Sequence, residues 1–403
     1  MARPVTPVSD VAITGSLAPF AVRFRAALAD AGYTPLSSVP QLRLMAHLSR
    51  WLDARALTAG DLTTERIAAY LCDRRSGHSQ MHTRRSLVPL LGVLASEGAL
   101  PAERPPASAS ATDGVLASFE RYLHGERGLG ESTVAAYLAR ARRFLAGLPA
   151  GRGIESIPAH DVIAAVLAES ATRSVGATQY FVAALRAFLR FGHLEGLLAR
   201  DLSGAALPIT GRRRSTLPQG LDASAVRALL RACDRRRPVG RRDYALLLVL
   251  VRLGLRAGEA AALTLDDIDW RAGEIVVHGK GRRLDRLPLP ADVGTAIAGY
   301  LRHGRPSTER REVFLRTVAP LGPLSRGGVS CIVRRASRQA GLSAIGAHRL
   351  RHTLACAMVG AGVPLPMIGS VLRHRSLVST ATYARVDVDA LRRLAQPWPT
   401  GTV

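Results

Sequence analysis

The stretch HRLRHTLACAMVGAGVPLPMIGSVLRHRSLVSTATY, residues 348–383, decides how the rest of this chain is interpreted. It opens with His348 and Arg351, which are three residues apart and therefore share one face of a predicted helix. His374 follows, and Tyr383 comes nine residues after it. These side chains can move a proton, bind an anion and supply a nucleophile, so the stretch predicts a catalytic site.

Two upstream segments extend this set. The segment LVRLGLRAGEAAALTLDDIDW, residues 250–270, places Arg256 three residues before Glu259 at the start of a predicted helix, where the carboxylate would orient the guanidinium. The segment HGKGRRLDRLPL, residues 278–289, places Lys280 in the turn of a predicted β-hairpin.

In order and local context, the set resembles the active site of the tyrosine recombinases, the phage-integrase family, and RHRSLVSTATYA resembles that family's LGHxSxxxTxxYA box. The residues that carry the resemblance are Arg256, Lys280, His348, Arg351, His374 and Tyr383.

The resemblance implies a role for each residue. Tyr383 would attack a DNA phosphate and form a 3′-phosphotyrosyl bond, with His348 as the acid/base for its proton. Arg256 and Arg351 would clamp the phosphate, since guanidinium forks match its oxygens and keep their charge. Lys280 would protonate the leaving 5′-oxygen. His374 would donate a hydrogen bond to a phosphate oxygen. No metal or other cofactor is expected.

Composition supports a nucleic-acid partner. The 403 residues carry a formal net charge of +24, and 47% of them are hydrophobic, so the chain can bury several cores and is expected to bind a polyanion. Double-stranded DNA comes first and an anionic membrane surface second. The longest apolar run, YALLLVLVRLGL, predicts a buried helix and no membrane span. The first ten residues lack the pattern of a secretory signal, so a bacterial cytoplasmic, nucleoid-associated enzyme is expected.

Lys280 is also the sole lysine among 55 basic residues. A GC-rich coding bias explains the abundance of arginine, and a single surviving lysine is also compatible with chance. Arginine cannot release its proton at ordinary pH, whereas an ammonium can, so the exception favours a transferable proton at this position.

The chain is predicted to be mainly α-helical with one small β-sheet, and to form three domains. Residues 1–104 form an N-terminal helical DNA-binding or accessory domain. Residues 105–207 resemble the family's SAM-like core-binding domain, and residues 208–403 form the catalytic domain. Ile67-Ala68-Ala69 and Glu97-Gly98 recur 96 and 98 residues later, which favours a tandem duplication of the first helical unit in the second.

Four further arginines are candidate DNA contacts, and a solvated basic loop is an equally good interpretation of the first three: Arg212, Arg213, Arg214 and Arg282. His352 lies four residues after His348, a spacing seen in helical zinc ligands. No glutamate lies between them and no third ligand is evident, so it is interpreted as structural. Arg373 stands where the family generally has glycine. A glycine there commonly ends a helix in the left-handed conformation, which arginine adopts at some cost, so the sequence leaves the local backbone open.

The resulting hypothesis is a site-specific recombinase or integrase for a mobile element, which exchanges strands through a Holliday junction. It would act as a homo-tetramer on DNA, with a dimer on one site, and companion recombinases are compatible with it. The C-terminal residues 386–398 are predicted to form a helix that packs on a neighbouring protomer or caps its own domain. A type IB topoisomerase-like enzyme and a non-catalytic DNA-binding regulator are the alternatives.

Overall fold

The computed structural model describes residues 11–101, 111–149, 152–210, 220–279 and 283–373, together with residues 380 and 383. Contacts group the chain into two compact units, one made of Met1–Pro101 with Thr216–Val403 and the other of Ala102–Ser215. The described residues are mainly helical with one three-stranded sheet, so the predicted fold class is confirmed.

The N-terminal part of the first unit, here called the first bundle, is helical. Its helices are α1 (Ala21–Asp30), α2 (Pro35–Asp53), α3 (Thr64–Gly77) and α4 (Arg84–Ser96). Helix α2 begins where the side chain of Thr34 accepts a hydrogen bond from the Ser37 N–H. Its apolar side chains, among them Leu42, Met45 and Leu48, are buried in a core shared with the other helices.

The second unit contains α5 (Ala111–Gly125), α6 (Glu131–Ala146), α7 (Ala159–Thr172) and α8 (Val175–Leu194). An aromatic cluster fills its centre. The ring of Phe119 lies 5.1 Å from that of Phe188 and 5.2 Å from that of Phe191, in the tilted and edge-on geometries that aromatic pairs prefer. The unit therefore has a core of its own.

The first bundle and the second unit share one element order. Each has two helices, a short 3₁₀ turn (Ala59–Asp61 or Ile154–Ser156) and two more helices. Glu97 and Glu195 cap the last helix of each, and the glycines that follow have φ values of 65° and 71°. Because only glycine adopts this conformation freely, the helices end by the same device. These features support the tandem duplication, and the three domain boundaries stay a prediction.

The C-terminal segment is built around one buried helix. Its helices are α9 (Ala223–Arg231), α10 (Pro238–Arg252), α11 (Ala257–Ala262), α12 (Ala291–His303), α13 (Arg326–Gln339), α14 (Ala347–Gly360) and α15 (Leu365–Val371). Residues 245–250 of α10 are all buried, and this helix packs against α12 and α14. The apolar run therefore forms the predicted buried helix. Within the described ranges, no helix has the length and apolarity needed to cross a bilayer.

A small antiparallel sheet lies beside these helices, with strands in the order β1 (Ile268–Asp269), β2 (Glu274–His278) and β3 (Leu284–Pro288). Ile275 of β2 pairs with Ile268 on one side and Leu287 on the other, and its side chain is buried. The β2–β3 hairpin is the predicted one. Strand β1 was not predicted, because two residues carry no period that a sequence reveals.

A buried charge cluster joins α10 to α13 and to the segment before α13 that contains Leu315. The Arg242 guanidinium donates to Asp243 at 2.7 and 2.9 Å and to the Leu315 carbonyl at 3.0 Å, and Arg335 of α13 also donates to Asp243. Arg242 and Asp243 are both buried. Removal of the carboxylate would therefore leave a buried guanidinium without a counter-charge.

We expect Asp243→Asn to lower the free energy of unfolding of the chain by about 3 kcal/mol, measured from urea denaturation curves, because the charge of Arg242 then lacks compensation. Asp266→Asn is the matched control. The ion pair of Asp266 with Arg311 is solvent-exposed, and its loss should lower the free energy of unfolding much less. Equal losses for the two variants would contradict the stabilising role of the buried cluster.

Candidate active site

Arg256 and Glu259 form the first part of the site, at the start of α11. The backbone N–H of Arg256 donates to Glu259 Oε2 at 2.8 Å, and its guanidinium donates to Glu259 Oε1. Burial alone would raise the pKa of Glu259. The hydrogen bonds from Arg256, with the charges of Arg373 and Arg256, outweigh that effect and bring the pKa below its usual value. Glu259 is therefore ionised and orients Arg256.

Arg351 lies at the centre of the site and is 1% exposed. Its Nη1 donates to the Gly254 carbonyl at 2.6 Å, and its Nη2 donates to the Leu372 carbonyl. Gly254 has φ 58°, and a Cβ there would meet Leu354 and Leu372 side chains at 2.9 Å, so this close approach requires glycine. Burial, and then the charges of Arg256 and Arg373, lower the pKa of Arg351 to about 10, so it stays charged at neutral pH.

Arg373 enters the same cluster, although the family pattern has glycine at this position. It follows α15 with φ 54°, which is the left-handed conformation that glycine commonly adopts at a helix end. Its side chain is 4% exposed, and its Nη2 donates to Glu259 Oε2 at 2.9 Å. Its backbone carbonyl accepts from Arg256 Nη2 at 3.4 Å. Arg373 thus ties the end of α15 to the start of α11.

Two histidines of α14 connect this cluster to Tyr383. The His348 and His352 rings are 4.3 Å apart, and Nδ1 of His352 lies 2.7 Å from the Tyr383 hydroxyl. Burial, then the charges of His348 and Arg351, lower the pKa of His352 to about 4, so its ring is neutral at pH 7. Tyr383 is 2% exposed, and burial raises the pKa of its hydroxyl.

A cavity of about 640 Å³ opens onto this cluster. Among the residues that line it are Arg256, Glu259, Gly279, His348, Arg351 and Arg373. Lys280 and His374 each directly follow a lining residue in the sequence but lie outside the described residues, as do Arg212, Arg213, Arg214 and Arg282. The described residues hold no group of three or more His, Cys, Asp or Glu side chains placed for a metal ion.

The charges of the cluster favour an anion. The guanidiniums of Arg256 and Arg373 donate to the carboxylate of Glu259, and that of Arg351 lies near it. Arg283, Arg326 and Asp285 also line the cavity, so among the described residues its five arginines outnumber its two carboxylates by three. This excess of positive charge attracts an anion. A phosphate group has the charge and the planar acceptor pairs that such guanidiniums bind.

Comparison with known proteins agrees with this geometry. Residues 219–389 match the phage integrase family, and residues 116–196 match its N-terminal SAM-like domain. The y4rA protein of Sinorhizobium fredii strain NGR234, named as an integrase/recombinase, is 38% identical over 392 residues, which is 96% of this chain and 95% of that protein. This chain belongs to the phage integrase family. It is a tyrosine-type site-specific recombinase, an enzyme that breaks and rejoins DNA.

Two further proteins show lower identity to this chain. Tyrosine recombinase XerD of Mycobacterium tuberculosis is 32% identical over 300 residues, which is 69% of this chain and 95% of XerD. A crystal structure of a lambda integrase tetramer bound to a Holliday junction shares the fold, with 17% identity and a TM-score of 0.53 over 80% of this chain and 90% of that one.

Sequence reasoning missed two contacts of the site. His352 was interpreted as structural, yet the hydroxyl of Tyr383 lies against it, and Arg373 was seen as a backbone problem when its side chain is also a partner of Glu259. The four-residue spacing of His348 and His352 did place both rings on one face of α14. The partners themselves lie 31 and 114 residues away, beyond what local spacing reveals.

The conformation of Arg373 can be tested by comparing two truncations. We expect Arg373→Gly to be more stable than Arg373→Ala by about 1 kcal/mol, because both variants lose the Glu259 ion pair and only alanine keeps the left-handed strain. Thermal unfolding of both proteins measures this difference.

Arg334 provides the matched control, since it is exposed in the middle of α13. There the order should reverse, with Arg334→Gly less stable than Arg334→Ala by about 1 kcal/mol. The same order at both positions would contradict the strained backbone at Arg373.

Proposed function

We propose that this recombinase cuts and rejoins DNA through a 3′-phosphotyrosyl bond on Tyr383 and a Holliday junction, in the service of a mobile element. The observation that carries the proposal is the contact between the Tyr383 hydroxyl and a neutral His352, on the helix that also presents His348 and Arg351. Helix α14 therefore places the proposed acid/base His348 and the phosphate-binding Arg351 close to the proposed nucleophile, Tyr383. Such a combination suits metal-independent attack on a phosphodiester.

Each step has a candidate residue. The Tyr383 oxygen attacks phosphorus as its proton passes to a histidine, and we assign His348, which lines the cavity, as that acid/base. Arg256 and Arg351 hold the non-bridging oxygens, with Glu259 orienting Arg256. Lys280 protonates the departing 5′-oxygen, and His374 donates to a phosphate oxygen. The 5′-hydroxyl of the partner strand then attacks the phosphotyrosyl bond and displaces the Tyr383 oxygen. The energy of the broken bond is therefore kept for rejoining.

The assembly and the DNA contacts also belong to the proposal. The tetramer of lambda integrase on a Holliday junction supports a homo-tetramer for this chain. It would be built from dimers that each bind one DNA site, and companion recombinases are compatible with this assembly. Arg212, Arg213, Arg214 and Arg282 contact the DNA backbone. The accessory DNA-binding domain consists of residues 1–104, the core-binding domain of residues 105–207 and the catalytic domain of residues 208–403. The enzyme acts at the nucleoid of a bacterial cytoplasm.

The decisive test places the DNA that flanks the gene on a plasmid in cells that produce the wild type or Tyr383→Phe. New junctions found by sequencing, and protein held covalently on DNA in denaturing gels, are expected with the wild type alone, because phenylalanine has no nucleophilic oxygen.

The alternative functions give other patterns. Adducts spread over many sequences without junctions would indicate a topoisomerase-like enzyme. Equal and tight binding of both proteins with neither adducts nor junctions would contradict catalysis and favour a regulator.

A second test separates the two histidines. Burial, then the charges of Arg351 and Arg256, lower the pKa of His348 below its usual value, so wild-type adduct formation should rise with pH through that pKa and level off as the ring becomes neutral. We expect His348→Gln to slow adduct formation by about 10²–10⁴-fold and to abolish this rise.

His352→Gln is the paired variant, because glutamine also offers an acceptor to the Tyr383 hydroxyl. It should keep the pH-dependent rise in single-turnover measurements. If His352→Gln flattens the profile and His348→Gln does not, His352 is the proton acceptor and the assignment of His348 is wrong.

A further inference from the structure

The first bundle carries a second group of cations around a cavity of about 420 Å³ between α2 and α3. Arg43, His47 and Arg50 lie four and three residues apart on α2, so they share one face of that helix. Arg74 of α3 and His78 at its C-cap face them across the cavity. None of the described residues lining the cavity is a carboxylate.

Arg74 is the buried member of this group, at 7% exposed. Its Nε donates to the Met81 carbonyl at 2.8 Å, while its Nη1 is buried and has no hydrogen-bond partner among the described residues. A buried guanidinium N–H without an acceptor lowers the stability of the folded chain. A ligand that supplies an acceptor oxygen at this position would remove that cost.

His47 also lies in surroundings that disfavour its positively charged form. Its Nδ1 lies 3.1 Å from the Tyr70 hydroxyl, and its ring packs edge-on against His78 with the centroids 4.9 Å apart. Burial, followed by the charges of Arg74, His78 and Arg50, lowers the pKa of His47 to about 4. An anion in the cavity would oppose these charges and raise that pKa.

We propose that this cavity binds a backbone phosphate of duplex DNA, so that the first bundle makes its own DNA contact. The family matches begin at residue 116, and XerD covers 69% of the chain, so the matches to the family's two domains leave this contact unassigned. Two rows of cations, with no carboxylate among the described residues that line the cavity, suit a phosphate, which accepts several charged hydrogen bonds at once. The identity of the ligand as DNA rests on the proposed function, whereas an anion-binding cavity does not.

The test compares two charge-matched double variants of the full chain. Arg43→Gln/Arg50→Gln changes exposed residues that line the cavity. Arg23→Gln/Arg55→Gln removes the same charge from exposed arginines of the first bundle that pair with Glu97 and Asp73 and lie away from the cavity. Binding to non-specific duplex DNA is measured against salt concentration, so neither a known target site nor cleavage is needed.

We expect the cavity variant to flatten the slope of log Kobs against log salt by about 0.9, the contribution of one phosphate contact, and the control variant to leave it unchanged. Because the measurement involves no cleavage, a failure of the Tyr383 chemistry would leave this result intact. Equal slopes for the two variants would overturn the proposal.

A histidine NMR titration of the full chain identifies the source of the phosphate. Duplex DNA should raise the pKa of His47 from about 4, and the cavity variant should reduce this rise. Because a raised pKa means proton uptake on binding, affinity should increase as the pH falls through the pKa of His47 in the complex and level off below about 4, its pKa in the free protein. If inorganic phosphate raises the pKa of His47 and duplex DNA does not, the cavity binds a free anion and the DNA contact is rejected.

Discussion

A single buried carboxylate, that of Glu259, holds the proposed catalytic cluster together. It receives the backbone and guanidinium N–H groups of Arg256 and the guanidinium of Arg373, and so fixes α11 against the end of α15. Arg351 completes the same junction by donating to carbonyls on both sides of it, at Gly254 and Leu372. The site therefore depends on charges that three separate segments bring together, and the loss of the carboxylate would leave its guanidiniums facing one another with nothing to oppose them.

The abundance of arginine explains why such junctions recur. A guanidinium stays charged at ordinary pH, so burial does not neutralise it, and each buried arginine must find oxygens. Arg242 finds them in Asp243 and the Leu315 carbonyl, and Arg351 finds them in two carbonyls. Arg74 is only partly satisfied, through the Met81 carbonyl. This difference is why the first bundle points to an external ligand, whereas the Arg242 cluster points to stability.

Periodicity in the sequence predicted most of the architecture. The buried run in α10, the amphipathic helices and the β2–β3 hairpin each have a local pattern, and the resemblance of the motifs brought the site residues into one list. Strand β1 was not predicted from the sequence, because its two residues are extended only through pairing with β2. The contacts of His352 and Arg373 escaped because they join residues that only the folded chain brings close. At position 373 the family generally has glycine, which commonly adopts the left-handed conformation. Arg373 adopts the same conformation, because it is set locally by the end of α15.

The excess charge of the cluster bears on how catalysis proceeds. A phosphodiester carries one negative charge, and a second develops as the tyrosyl oxygen adds to phosphorus. Among the described residues, five arginines line the cavity against the carboxylates of Glu259 and Asp285, so in the proposed reaction this excess of positive charge stabilises the transition state more than the ground state. Fixed arginines suit this task because they are preorganised and cannot lose their charge to the departing oxygen. The proton for that oxygen must come from a group able to give one up, and lysine, present once in the chain at position 280, is such a group.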